Sequence, residues 1–154
     1  MDLKSLKVSS TVIVISKDMK ALIVQRPSDK SFANLWTVAG GKLQDTDGIM
    51  VGKELVGEDF RYFSAEVCAI RELQEETGIH VFIGNLKYLC SVYAGAINRL
   101  ILSYYVVLDK NADEIKIDLS ECQAYEWITR DEIKDYKFIP DIGGEIGDVF
   151  KRIS

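Results

Sequence analysis

An α+β fold, a mixed β-sheet sandwiched between helices, is what the sequence predicts, and three observations predict it. Short β-branched runs such as Val8–Ile15 and Arg99–Leu108 lie on both sides of one stretch with helical spacing, 64–77. A second helical pattern, Ile142, Ile146, Val149, Phe150 and Ile153, closes the chain. The 154 residues are 47% hydrophobic and 28% charged, the size and composition of one globular domain, placed at 1–154. Strands around a central helix, with another helix at the end, bury their apolar faces as an α/β/α sandwich.

The elements follow in order. Val8–Ile15 and Ala21–Gln25 read as paired strands across the polar turn Ser16–Lys20. Leu35–Val38 is a brief strand that runs into Gly40-Gly41. Gln44–Phe63 has no period and carries Gly48, Gly52 and Gly57, so it reads as a long inserted loop. Ser64–Thr77 is a helix, with Ser64 as N-cap and Gly78 as its left-handed stop. Val81–Ile83, Lys87–Tyr93, Arg99–Leu108 and Tyr125–Ile128 read as strands, the last followed by a brief helix from Thr129 to Asp135. Gly143, Gly144 and Gly147 weaken the closing amphipathic helix.

Composition excludes several functions. Lys and Arg number 19 against 24 Asp and Glu, a net charge of −5, so no broad basic face for nucleic acid is expected. No apolar run approaches the roughly 20 residues that span a bilayer. The start, Met1-Asp2-Leu3-Lys4-Ser5, has no signal-peptide core behind it. Cys68, Cys90 and Cys122 are an odd number without a CxxC pair, which predicts buried free thiols in a reducing cytoplasm. His80, the only histidine, is read as structural or exposed.

The informative segment is Arg71-Glu72-Leu73-Gln74-Glu75-Glu76-Thr77-Gly78-Ile79. On a helix, Ala65, Ala69 and Leu73 form an apolar row, Cys68, Glu72 and Glu76 the row beside it, and Arg71 and Glu75 the next. Glu72 repels Glu75 at i,i+3 and Glu76 at i,i+4. All three acids also sit at the negative end of the helix dipole. A bound cation relieves both penalties, and an all-oxygen set selects Mg²⁺, or Mn²⁺ in its place. The competing reading is a solvated acidic face with Arg71–Glu75 as a surface ion pair.

Here the sequence resembles the Nudix hydrolase family, whose box is G-x5-E-x7-R-E-U-x-E-E-x-G-U, with U a bulky apolar residue. Arg71, Glu72, Leu73, Glu75, Glu76, Gly78 and Ile79 match every specified position of its second half. Leu35-Trp36-Thr37-Val38-Ala39-Gly40-Gly41-Lys42-Leu43 is similar to the strand and glycine turn before the box, with Ala39 where relatives commonly carry proline. The resemblance covers nearly the whole chain and implies the Nudix fold. Gly41 lies 71 − 41 = 30 positions before Arg71, where the box has 14, so about 16 residues are inserted, placed at about 44–63. Strict spacing puts the box glycine on Gly57 and its first glutamate on Phe63. The first glutamate holds the arginine in the family, and Glu58 and Glu66 are the substitutes considered for it.

The resemblance implies a Mg²⁺-dependent hydrolase that cleaves the diphosphate linkage of a nucleoside diphosphate joined to another moiety. In that reading Glu75 and Glu76 are the principal metal ligands, Glu72 is a ligand or orients water, and the Gly40 carbonyl completes the shell. Arg71 positions the carboxylates. Glu121, before the Glu126-Trp127 pair, resembles the family's extra loop glutamate, a further ligand or the base, with Asp118 as competitor. Arg26 stands where relatives often bind substrate. Trp36 and Tyr93 are read as base-stacking side chains, with core packing as the alternative for both.

The rival readings are a catalytically weak nucleotide-binding or regulatory module, favoured by the altered first half of the box, and an isomerase using Cys68. The inserted loop is expected beside the substrate entrance, or else at a homodimer contact.

Overall fold

The computed structural model describes residues 3–50, 60–112 and 115–154. Strand β1 (Lys7–Ile15) is the middle of a mixed sheet. It pairs in parallel with β8 (Arg99–Val107) over nine register positions, from Lys7↔Arg99 to Ile15↔Val107. The antiparallel β7 (Lys87–Ala94) lies beyond β8. On the other side β1 meets β2 (Ala21–Gln25), which carries β3 (Trp36–Thr37) and β9 (Ala124–Ile128). β4 (Ala39–Lys42) also pairs with β1, through Thr11↔Gly40 and Ser10↔Gly41.

Alternation along β1 sends Val12 and Val14 to one face and Ile13 and Ile15 to the other, so both faces are core. The first face packs on α1 (Ser64–Thr77) through Ala69 and Leu73. The second packs on α2 (Ile142–Ile153) through Ile146, Val149 and Phe150. This is the expected α/β/α arrangement.

Four local expectations need correction. Leu35–Val38 is not one strand: the chain leaves β2 at Thr37 and joins β1 at Ala39, so Gly40 and Gly41 lie in the β4 strand instead of a turn. Ser64 is not the N-cap of α1. Phe63 takes that place at φ 58°, and the Ser64 hydroxyl donates instead to the Arg61 carbonyl at 3.2 Å. Val81–Ile83 forms no strand; Val81 is buried under α1 as connecting chain, and a 3₁₀ turn covers Ile83–Asn85. The segment after Thr129 is a 3₁₀ turn, Arg130–Asp135, capped by the Glu132 carboxylate on the Thr129 N–H and hydroxyl. Gly78 ends α1 as expected, at φ 76°, its N–H donating to the Gln74 carbonyl.

Within the inserted stretch, β5 (Ile49–Met50) and β6 (Arg61–Tyr62) pair as a small separate ribbon. Residues 51–59, with Gly52, Gly57 and Glu58, lie outside the described residues.

Candidate active site

Packing of Ala69 and Leu73 against the sheet decides where the rest of α1 points. The neighbouring row, Cys68, Glu72 and Glu76, falls on the border beside β4, and the glycines of β4 make room for it. A Cβ at Gly41 lands 2.3 Å from the Glu72 carboxyl carbon, so any larger residue evicts that carboxylate. The Gly40 backbone on the same strand favours the charged form of the Glu76 carboxyl.

Arg71 is the hub of one side. Its Nε donates to Asp47 Oδ1 at 2.8 Å and its Nη2 to Asp47 Oδ2 at 3.0 Å, a bidentate pair. The guanidinium also reaches Glu72 Oε1 (2.7 Å), Glu75 Oε2 (3.3 Å) and the Lys42 carbonyl (3.0 Å). Asp47 is 3% exposed, and the Gln44 N–H donates to its Oδ2 at 2.8 Å. Although burial opposes its charge, Arg71 and that N–H hold its carboxyl below the usual range.

Asp47 is thus the arginine's partner among the described residues, where Glu66 is expected as one substitute; Glu58, the other, lies outside them. The charge of Glu66 instead bears on Tyr104, whose hydroxyl is pushed up to about 12 by burial first and by Glu66 after it. The signal was present in the sequence: counted forward from Gly41, Asp47 is 47 − 41 = 6 positions on, the G-x5-E spacing with Asp for Glu. The extra residues therefore lie between Asp47 and Arg71.

The other side, around Glu76, has a different character. Glu76 is 7% exposed, and burial pushes its carboxyl up to about 8, with the charges of Glu72 and Glu121 adding to the rise. Burial also raises Glu72, and Glu75 and Glu121 push it further. Three glutamates from α1 and the loop before β9 therefore feel one another. The Gly40 backbone and the charge of Arg26 relieve Glu76 in part. Arg26 itself is occupied by Ser31, donating to its carbonyl at 3.1 Å and its hydroxyl at 3.2 Å.

Glu121 is exposed, and Asp118 shapes the loop under it: the N–H groups of Glu121 and Cys122 donate to the Asp118 carbonyl. The Asp118 carboxylate is taken by the Ser120 N–H and hydroxyl, which hold it below its usual range. Gln123 ties this loop to the Arg26 loop, donating to Asn34 Oδ1 (2.9 Å) and accepting from the Ser28 N–H (3.2 Å).

Trp36 and Tyr93 are not brought together. The Trp36 ring packs edge-on to Tyr136, centroids 5.1 Å apart, against the α2 core, whereas the Tyr93 hydroxyl donates to Asn98 Oδ1 on the β7–β8 connection. Cys68, Cys90 and Cys122 are free thiols; burial pushes Cys68 up to about 11 and Cys122 to about 12, far from a nucleophile's range. His80 is exposed and stacks edge-on to Phe82.

The donor set suits a hard divalent cation: carboxyls raised by burial and by one another's charge, beside a glycine strand that leaves them space. Among the described residues no three acidic, histidine or cysteine side chains are close enough to grip a metal ion as they stand. Glu75 is drawn to Arg71, and Glu121 is exposed.

The pattern of the NUDIX domain family matches residues 6–145. The chain is 29% identical over 128 residues to a CTP pyrophosphohydrolase of Escherichia coli strain K12, covering 82% of this chain and 79% of that protein. It superposes on the NUDIX domain of Shewanella oneidensis NrtR in complex with ADP ribose with a TM-score of 0.70, at 16% identity, covering 100% and 94% of the two chains. A MutT protein from Methanosarcina mazei Go1 superposes at 0.68, with 17% identity and coverage of 96% and 94%.

Proposed function

The chain belongs to the NUDIX domain family and is a Nudix pyrophosphohydrolase, and from that premise we propose a Mg²⁺-dependent cleavage of the diphosphate linkage in a nucleoside diphosphate joined to another moiety. One observation carries the reading: Glu72, Glu76 and Glu121 feel one another as like charges, while the arginine of the same helix is committed to Asp47. Glu72, Glu75, Glu76 and Glu121, with the Gly40 carbonyl, would hold Mg²⁺ or Mn²⁺. When bound, the metal neutralises phosphoryl charge and makes water a stronger nucleophile.

The residues of the chain have distinct tasks. Arg71 keeps Glu72 and Glu75 on the working side of α1. Glu121, exposed to solvent, takes the proton of the attacking water. Arg26 meets a phosphate oxygen after exchanging its Ser31 contacts. The single domain, 1–154, is read as working in a reducing cytoplasm, in keeping with three free thiols. Among the described residues no helix is long and apolar enough to cross a membrane.

The choice of substrate class draws on two likenesses, the CTP pyrophosphohydrolase and the NUDIX domain holding ADP ribose. A module that only holds nucleotide was favoured by the disturbed first half of the box, and Asp47 removes that argument. An isomerase working through Cys68 loses support because the thiol is fully buried and donates to the Gly41 carbonyl.

Phosphate release should be measured over nucleoside triphosphates, nucleotide sugars, ADP-ribose and dinucleoside polyphosphates, with Mg²⁺, Mn²⁺ or chelator. Turnover of at least one, abolished by chelator, is expected. Turnover independent of cations would overturn the mechanism.

A further inference from the structure

The face of the sheet under α2 carries a polar group that the phosphate chemistry leaves unused. Glu145 lies three residues after Ile142 and one before Ile146, on the arc that α2 presents to the core, and it is half-buried. The Ser103 hydroxyl lies 3.3 and 3.4 Å from its two carboxylate oxygens, and the Cys90 thiol donates to it at 3.6 Å. The Thr11 hydroxyl donates in turn to Ser103 Oγ at 2.9 Å. Cys90, Ser103, Thr11 and Gly40 are successive register partners across β7, β8, β1 and β4, so they form one row.

Two features mark this row as more than packing. A half-buried carboxylate whose direct partners are one hydroxyl and one thiol keeps unused acceptor capacity, and the charges of Asp141 and Asp148 make it worse. On a face otherwise built of Ile, Val and Phe, an apolar residue costs less. Independently, Ser9, two residues before Thr11 on the same face of β1, is 5% exposed, and its hydroxyl has no partner. The apolar floor of Ile13, Ile15 and Tyr105 therefore ends in a strip of polar groups with unfilled hydrogen-bonding capacity.

The strip also lies at a useful distance. Along the row, Gly40 on β4, the strand that borders the α1 carboxylates, is two strand spacings from Ser103, about 10 Å; α1 and α2 cover opposite faces, so a nucleotide joining the two reaches around the β4 edge, with phosphates and base separated on that scale. We infer that Glu145 reads the nucleobase by accepting a hydrogen bond from an exocyclic amine, with Ser9 offering its hydroxyl beside it. This rests on the reading of the site as a nucleotide hydrolase. An amine donates to the carboxylate; an oxo group at the same ring position sets oxygen against oxygen and is rejected. The inferred substrates are nucleotides whose base carries an amine, preferred over those with oxo groups alone.

CTP and UTP differ at this one group and make the test. Wild-type enzyme should show kcat/KM roughly tenfold or more higher for CTP. Glu145→Gln should bring the ratio close to one, because the amide can present either its oxygen or its N–H. Glu145→Leu, which suits the apolar face, should lose the preference too and guards against a folding defect in the first variant. The affinities of CMP and UMP, measured by calorimetry without metal, give a second readout. A CTP/UTP ratio unchanged in both variants, or equal affinities of the wild type for CMP and UMP, overturns the inference. If CMP is preferred and the variants abolish that preference while no nucleotide is turned over, the base reading stands and the hydrolase reading falls.

Discussion

Two sides of one helix treat buried acid in opposite ways. Asp47 is 3% exposed and Glu76 is 7% exposed, so neither has water to lean on. Asp47 is met by two guanidinium nitrogens and a backbone N–H, and its carboxyl is held low. Glu76 is raised to about 8 by burial first and by the charges of Glu72 and Glu121 after it, with only the Gly40 backbone and a more remote arginine opposing them. Where the chain supplies its own cation, the acid is architecture. Where it withholds one, the acid is left for something that arrives from outside.

The sharpest way to break this contrast is Glu76→Gln. Activity should fall roughly 10²–10⁴-fold, while the melting temperature stays level near neutral pH and rises relative to wild type above pH 8, because the substitution removes an acid whose charged form the fold does not neutralise. Asp47→Asn should do the reverse: about 3 kcal/mol lost in urea unfolding, as Arg71 loses its bidentate partner and keeps only Glu72, Glu75 and the Lys42 carbonyl. If both variants lose the same stability, the two sides are not different. Next, Mg²⁺ at a hundredfold excess over its Kd should stabilise the wild type by about 2.7 kcal/mol in thermal unfolding, and Glu76→Gln should forfeit most of that gain.

The smallest effect belongs to Glu145, a third acid between the two extremes. Burial pushes its carboxyl up, so the folded chain holds that proton more tightly than the unfolded chain does. Stability contributed here is therefore lost as pH rises from the ordinary carboxylate range toward the folded value. Glu145→Leu should melt above wild type at pH 8, and the gap should shrink as the pH approaches 4.

Much of this was legible beforehand, for local reasons. The bounds of α1 follow from Gly78 and the 3.6-residue pattern, and β1 and β8 from β-branched runs, because burial on both faces leaves no polar alternation to confuse them. The arginine's partner is hidden from spacing that runs back from Arg71 across the inserted residues, and lies at the box distance forward from Gly41. Ser64 looked like a cap by residue type, but Phe63 in the left-handed region enters the helix without one. Glu145 was invisible for a different reason. In a helix that contains three glycines and four polar residues, nothing local marks one acid as facing inward; only the hydroxyls of β1 and β8 do.

The parallel pairing of β1 with β8 has a consequence in time. Their register joins residues 92 apart in the chain, Lys7 with Arg99 through Ile15 with Val107. A loop of that length must close before the central contact forms, which makes the sheet a slow, late event compared with α1. During synthesis the first strand therefore leaves the ribosome without its parallel neighbour, and Glu72 and Glu76 are made before β8. Glu72 and Glu76 are neighbours as soon as α1 forms, and Glu121, made after β8, joins them only when the sheet has closed.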